Sequence, residues 1–168
     1  MAQEPPPPDG RIPSGTFSPS IIAGLGFGGG GFSFTLGGGV GYFVYHNLEL
    51  GAELRLHYSS GRPFTITLDG YPRYYFGEVI GSDRFYPFTQ AKGGRIFVFG
   101  DDDAWDIFGG AGLVAMLDDA RHFGINGLFQ YGGVIYSDRA GDGCLYAAEG
   151  ENCFDHYPLF NLGLSMFY

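Results

Sequence analysis

The sequence predicts an all-β fold, an eight-stranded antiparallel up-and-down transmembrane β-barrel. Three observations predict it. Apolar and polar residues alternate with period two through eight segments of about ten residues, each long enough to cross a bilayer when tilted. Gly accounts for 31 of 168 residues and aromatics for 18%, a composition that excludes a helical bundle because each interior Gly costs roughly 1 kcal/mol relative to Ala. Charged residues make up only 16%, where a soluble surface usually needs about 25% or more.

Each strand follows from its alternation. A first, near 16–28, places Phe17, Ile21, Ala23, Leu25 and Phe27 on one face. In the second, Phe32, Phe34, Leu36, Val40, Tyr42 and Val44 alternate with Ser33, Thr35, Gly37, Gly39 and Gly41. His46-Asn47 makes a tight turn into the third, where Leu48, Leu50, Ala52, Leu54, Leu56 and Tyr58 oppose Glu49, Gly51, Glu53, Arg55 and His57. The fourth, near 64–76, sets Phe64, Ile66, Leu68, Tyr74 and Phe76 against Thr65, Thr67, Asp69 and Arg73. The fifth, near 84–94, sets Phe85, Pro87 and Ala91 against Tyr86, Gln90 and Lys92. Trp105, Ile107, Ala111, Leu113 and Leu117 mark the sixth, near 105–117. The seventh, near 122–131, sets Phe123, Ile125, Phe129 and Tyr131 against His122, Asn126 and Gln130. The eighth, near 157–168, sets Phe160, Leu162, Leu164, Met166 and Tyr168 against Asn161, Gly163 and Ser165.

The same alternation suits a soluble barrel with an apolar inside or a membrane barrel with an apolar outside. Three features select the second. The polar parity is rich in Gly, Ser and Thr and would make a poor soluble exterior. Aromatics bunch at strand ends: Tyr42, Phe43, Tyr45, Tyr74, Tyr75, Phe76, Phe85, Tyr86, Phe88, Phe167 and Tyr168 at one rim, and Tyr58, Phe64, Trp105, Tyr131 and Tyr157 at the other. These are expected to form interfacial girdles. Connections alternate between tight (46–47, 77–83, 118–120) and variable (59–63, 95–104, 132–156), with 28–31 a short exception among the second set. A transmembrane helix across Ile12–Leu48, which lacks any charged residue, is excluded by its eleven glycines.

The length allows one domain, divided into a Pro-rich N-terminal arm (1–14) and the barrel (15–168). No apolar signal segment precedes Pro5–Pro8, so a mature chain with its signal peptide removed is expected. Cys144 and Cys153 lie in a polar stretch and are expected to form a loop disulfide in an oxidising compartment. A net charge of −9 argues against a nucleic-acid partner.

GYFVYHNLELGAELRLHY (41–58), YPRYYF (71–76), RFYPF (84–88) and FNLGLSMFY (160–168) together resemble the small eight-stranded outer-membrane barrels of Gram-negative bacteria, the OmpA/OmpX/OmpW-like group. The resemblance implies a porin-like barrel in the outer membrane, among its lipid and lipopolysaccharide. It also implies that Phe160, Leu162, Leu164, Met166 and Tyr168 form the signal read by the barrel assembly machinery.

The expected interior is a charge cluster of Glu49, Glu53 and Asp69 against Arg55, Arg73 and Lys92, with Glu49 across from Arg73 and Glu53 across from Asp69. Eight strands leave a lumen only wide enough for side chains, so this cluster reads as a plug. The function expected is structural or surface-interacting, without enzymatic activity, cofactor or metal. Two alternatives stand beside it: a transporter of small apolar solutes, and a lipid-modifying hydrolase built on His57-Tyr58-Ser59. Asp101-Asp102-Asp103 lacks calcium-loop spacing and reads as a solvated loop. The acidic loop 132–156 is the expected surface for a protein partner.

Overall fold

The computed structural model describes residues 11–28, 31–59, 64–82, 84–98, 104–118, 120–136 and 153–168. Eight strands follow in order: β1 (Phe17–Gly28), β2 (Gly31–Tyr45), β3 (Leu48–Ser59), β4 (Thr65–Tyr75), β5 (Phe85–Val98), β6 (Ala104–Met116), β7 (Phe123–Tyr136) and β8 (Cys153–Met166). Each pairs antiparallel with its sequence neighbour, and β1 pairs with β8 from Ser20↔Ser165 to Gly26↔Leu159, which closes the barrel. Beyond that ladder, Phe17 and Tyr168 exchange backbone hydrogen bonds of 2.7 and 2.9 Å at the rim where β1 begins and β8 ends, the terminal rim. Closure leaves no sheet edge, which hydrocarbon requires because it offers backbone N–H and C=O groups no partner.

The apolar parity faces outward. Leu50, Leu54, Leu162 and Leu164 are each about half exposed, whereas Glu53 and Arg55 are buried at 3% and 5%. An inward polar set and an outward apolar belt is the inverse of a soluble barrel.

Three strands run longer than the alternation predicts. β5 reaches Val98, and β7 and β8 extend to Tyr136 and back to Cys153, so the expected loops 95–104 and 132–156 both lose residues to the sheet. Gly93, Gly94, Gly132 and Gly133 all stay in the ladder, paired with Gly70, Asp69, Phe108 and Ile107. The expected girdle is corrected as well. Phe43, Tyr75, Tyr86, Phe88 and Phe167 point into the barrel and are almost fully buried, while Tyr42, Tyr45, Tyr74, Phe85 and Tyr168 remain outside. Adjacent residues of one strand take opposite faces, so a run such as Tyr74-Tyr75 cannot belong wholly to a girdle.

The tight connections hold the terminal rim. Asn47, at φ 62°, completes the β2–β3 turn in the left-handed region that Asn tolerates. A short helix α1 (Gly77–Ile80) links β4 to β5. In the β6–β7 turn, Asp118 accepts hydrogen bonds from the backbone N–H of Phe123 at 2.8 Å and of His122 at 3.1 Å. Slight desolvation opposes its charged form, but these donors outweigh it and hold the carboxyl below its ordinary pKa. Its contribution to stability is therefore present above the ordinary carboxylate pKa and lost as pH falls through the lowered one. Asp118→Ala should weaken that acid dependence, measured as unfolding midpoint against pH in detergent or lipid.

Gly51 shows how closely the wall packs. A Cβ there would lie 2.3 Å from the Tyr71 ring, whereas one at outward-facing Gly109 would meet nothing within 4 Å. Gly51→Ala should cost about 1–3 kcal/mol through displacement of that ring, and Gly109→Ala should be near neutral, as read by urea unfolding in vesicles.

Candidate functional site: the filled lumen

The strand registers set the interior chemistry. β3 against β4 places Glu49 opposite Arg73 and Glu53 opposite Asp69. Arg73 Nη1 donates to Glu49 Oε2 at 3.2 Å, and its Nε and Nη2 both donate to Gln90 Oε1 at 2.9 and 2.7 Å. The Tyr75 hydroxyl donates to Glu49 Oε2 at 2.9 Å and the Tyr71 hydroxyl to Glu49 Oε1 at 3.3 Å. Its guanidinium also lies 4.8 Å from the ring centroids of both Tyr71 and Phe88. One arginine is thus held by a carboxylate, an amide and two aromatic faces.

A second group lies further toward the variable loops. Lys92 Nζ donates to Glu53 Oε1 at 2.8 Å, and Arg55 Nε lies 3.1 Å from the same oxygen. Arg55 also binds Asp69 Oδ2 through Nε and Nη2, and Asp106 Oδ2 through Nη2 at 2.6 Å. All six charges predicted for the lumen are brought together, and Asp106 joins them. Among the described residues the cluster is therefore four carboxylates against three cations rather than balanced. Between outward Trp105 and Ile107 the two-residue period turns Asp106 inward, and the closed ladder of strands carries it to Arg55.

Around this cluster other buried side chains line the lumen. On the opposite wall Asn161 donates to Gln130 at 2.9 Å and Asn126 to Ser165 at 2.7 Å. Toward the loops, Ile96, Ala104 and Val134 pack together. Toward the termini, Phe43, Tyr75, Tyr86, Phe88, Val114, Met116, Leu128 and Phe167 form an apolar layer. Phe43 and Phe88 flank the Tyr75 ring with centroids 5.4 and 5.5 Å from it.

Ile12, from the N-terminal arm, completes that layer at 5% exposure. Its backbone N–H donates to Asn47 Oδ1 at 2.7 Å, and its carbonyl accepts from the Asn47 N–H at 3.1 Å. Gly15 N–H donates to the Phe43 carbonyl at 2.8 Å, and Arg11 reaches Glu78 on α1 at 2.8 Å. The sequence held no signal for this stopper beyond a lone Ile in a polar arm.

The other predicted residues fall as follows. Phe160, Leu162, Leu164 and Tyr168 face outward, and Met166 is half-buried beside them. His57 Nδ1 lies 2.9 Å from Thr35 Oγ1; the Ser59 side chain lies outside the described set. Cys144, Asp101–Asp103 and most of 132–156 are also outside it, as is the side chain of Cys153, so the expected disulfide and partner surface fall there.

One charge departs from the expected pattern. Arg95 was expected in a loop, but it lies in β5 on the outward parity, exposed, with its guanidinium 5.6 Å from the Phe97 ring centroid. It is the one charged residue on the outward face among the described strand residues. An outward arginine costs about 2–4 kcal/mol at the bilayer midplane and about 0–1 kcal/mol near the interface.

No family model and no curated protein sequence matches the chain. Solved structures do. The N-terminal β-barrel domain of Pseudomonas aeruginosa OprF is similar at a TM-score of 0.60 and 15% identity, over 94% of this chain and 100% of that one. Neisserial surface protein A is similar at 0.56 and 12% identity, over 91% and 96%. A de novo designed transmembrane β-barrel is similar at 0.53 and 13% identity, over 94% and 99%. A designed chain is among these matches, so the likeness carries architecture and no activity. The chain has the fold of the small eight-stranded outer-membrane β-barrels.

Proposed function

We propose that this chain is an integral outer-membrane protein with a structural or surface-interaction role, its lumen sealed rather than conducting. The observation that carries the reading is that buried side chains of the lumen engage one another, with Ile12 in the aromatic layer and the charges in mutual ion pairs. An interior spent on mutual pairing leaves the loops and the outer wall as the surfaces that meet other molecules. One similar structure is named as a neisserial surface protein, which agrees with this reading.

Planar-bilayer recording tests the seal. The wild-type protein should show no steady large conductance, and a steady large conductance would point to transport instead. Ile12→Asp together with Phe167→Ala should introduce channel events by opening the terminal end, while the barrel still migrates as a folded species on unheated gels.

The ion cluster should be felt in stability. Arg55→Ala leaves Asp69 and Asp106 buried without their shared cation and should cost about 3–5 kcal/mol. Urea unfolding in vesicles measures it, and a cost under about 1 kcal/mol, the size of a surface pair, would show the cluster to be dispensable.

A further inference from the structure

We propose that Asp69 and Asp106 hold one proton between them, so that the lumen cluster binds a proton as its fourth positive charge. The pairing of the cations comes first. Arg73 pairs with Glu49 at 3.2 Å and Lys92 with Glu53 at 2.8 Å. Among the described lumen residues Arg55 is the cation left for both aspartates, and its Nε also lies 3.1 Å from Glu53 Oε1. Asp69 Oδ2 and Asp106 Oδ2 both sit on its Nη2, the second at 2.6 Å. One nitrogen draws two carboxyl groups to the same place. Two ionised carboxylates held there repel each other, and burial leaves little water to screen them.

The strand ladder makes the two groups neighbours. Asp69 pairs with Gly94 on β5, and Gly94 pairs with Asp106 on β6, so one register position joins three strands. Gly94 puts no side chain between them. A Cβ there would collide with Asp69 Oδ1, so this oxygen leans across β5 toward the strand of Asp106. Both aspartates are buried, and Oδ1 of each has no hydrogen-bond partner among the described residues. Two acceptors do not satisfy each other; a proton makes one an O–H donor to the other. Glu53 and Arg55 face the pair from β3 and Lys92 from β5, while His57 stands two positions beyond Arg55 and Tyr71 two beyond Asp69. The same register runs on from Asp106 through Val134 on β7 to Asp155 on β8. With the proton, four positive charges meet the four lumen carboxylates, and the proton belongs to the pair rather than to either residue.

Infrared spectroscopy reads such a proton directly, because a protonated carboxyl has a C=O band that a carboxylate lacks. The full chain is folded at neutral pH in an alkyl glucoside detergent, which has no carbonyl band of its own. It is compared unlabelled and isotope-labelled at the aspartate carboxyl carbon. The expected result is a protonated-carboxyl band that moves on labelling and is lost in Asp69→Asn and in Asp106→Asn, where the amide replaces the O–H as donor to the remaining carboxylate. A folded wild type without the band would overturn the proposal. So would a band that ignores the aspartate label, which puts the proton on a glutamate, or one that survives in either variant. Heat-modifiable gel migration shows which samples are folded; should one variant fail to fold, the other and the labelled wild type still decide.

Discussion

Hydrocarbon accepts no hydrogen bonds, and that constraint organises the whole molecule. Every backbone N–H and C=O of a spanning segment must find its partner within the protein. With short strands, the available solution is a sheet that meets its own edge, which the β1–β8 pairing provides. Once the sheet is closed, the two-residue period of a strand fixes everything else. One parity must tolerate lipid and the other must fit inside a cylinder of eight strands. The outward leucines and the inward Glu53, Arg55 and Lys92 are two consequences of one geometric fact.

The inward parity carries the harder requirement. Charges in so narrow a lumen leave water behind, and they are tolerated only when each meets an opposite charge and enough hydrogen bonds. Arg55 serves Glu53, Asp69 and Asp106 at once, and Arg73 is engaged by Glu49, Gln90 and two rings. Such sharing makes the cluster collective. Removing one cation leaves several carboxylates exposed to one another, so the effect exceeds that of an isolated surface pair.

Much of this was legible in the sequence. All eight strands, the outward direction of Leu50 through Leu164, and the facing of Glu49 with Arg73 follow from alternation and a single turn position. What was illegible lies where alternation gives out. The expected loops 95–104 and 132–156 took in residues that belong to β5, β7 and β8, Arg95 among them. Aromatic runs read as girdles because both parities carry rings there, and only burial separates Tyr75 from Tyr74. The two-residue period sets the face of Asp106, but its contact with Arg55 crosses 51 residues and depends on barrel curvature as well as register. Ile12 belongs to no strand at all, so no periodicity could assign it to the core.

The position of that isoleucine bears on the charges beyond it. An ion pair is strong when water is kept out and weak when water enters, since the attraction scales inversely with the local dielectric. The aromatic layer, with Ile12 seated in it through Asn47, lies between the terminal mouth of the barrel and Arg73. Its Tyr75 belongs to both layers: the ring packs on Phe43 and Phe88 while the hydroxyl bonds Glu49. The apolar stopper therefore sets the strength of the polar network behind it, and the network in turn fixes the ring on which the stopper rests. A disturbance at Ile12 reaches the ion cluster through Tyr75, whose ring shares the apolar layer and whose hydroxyl bonds Glu49.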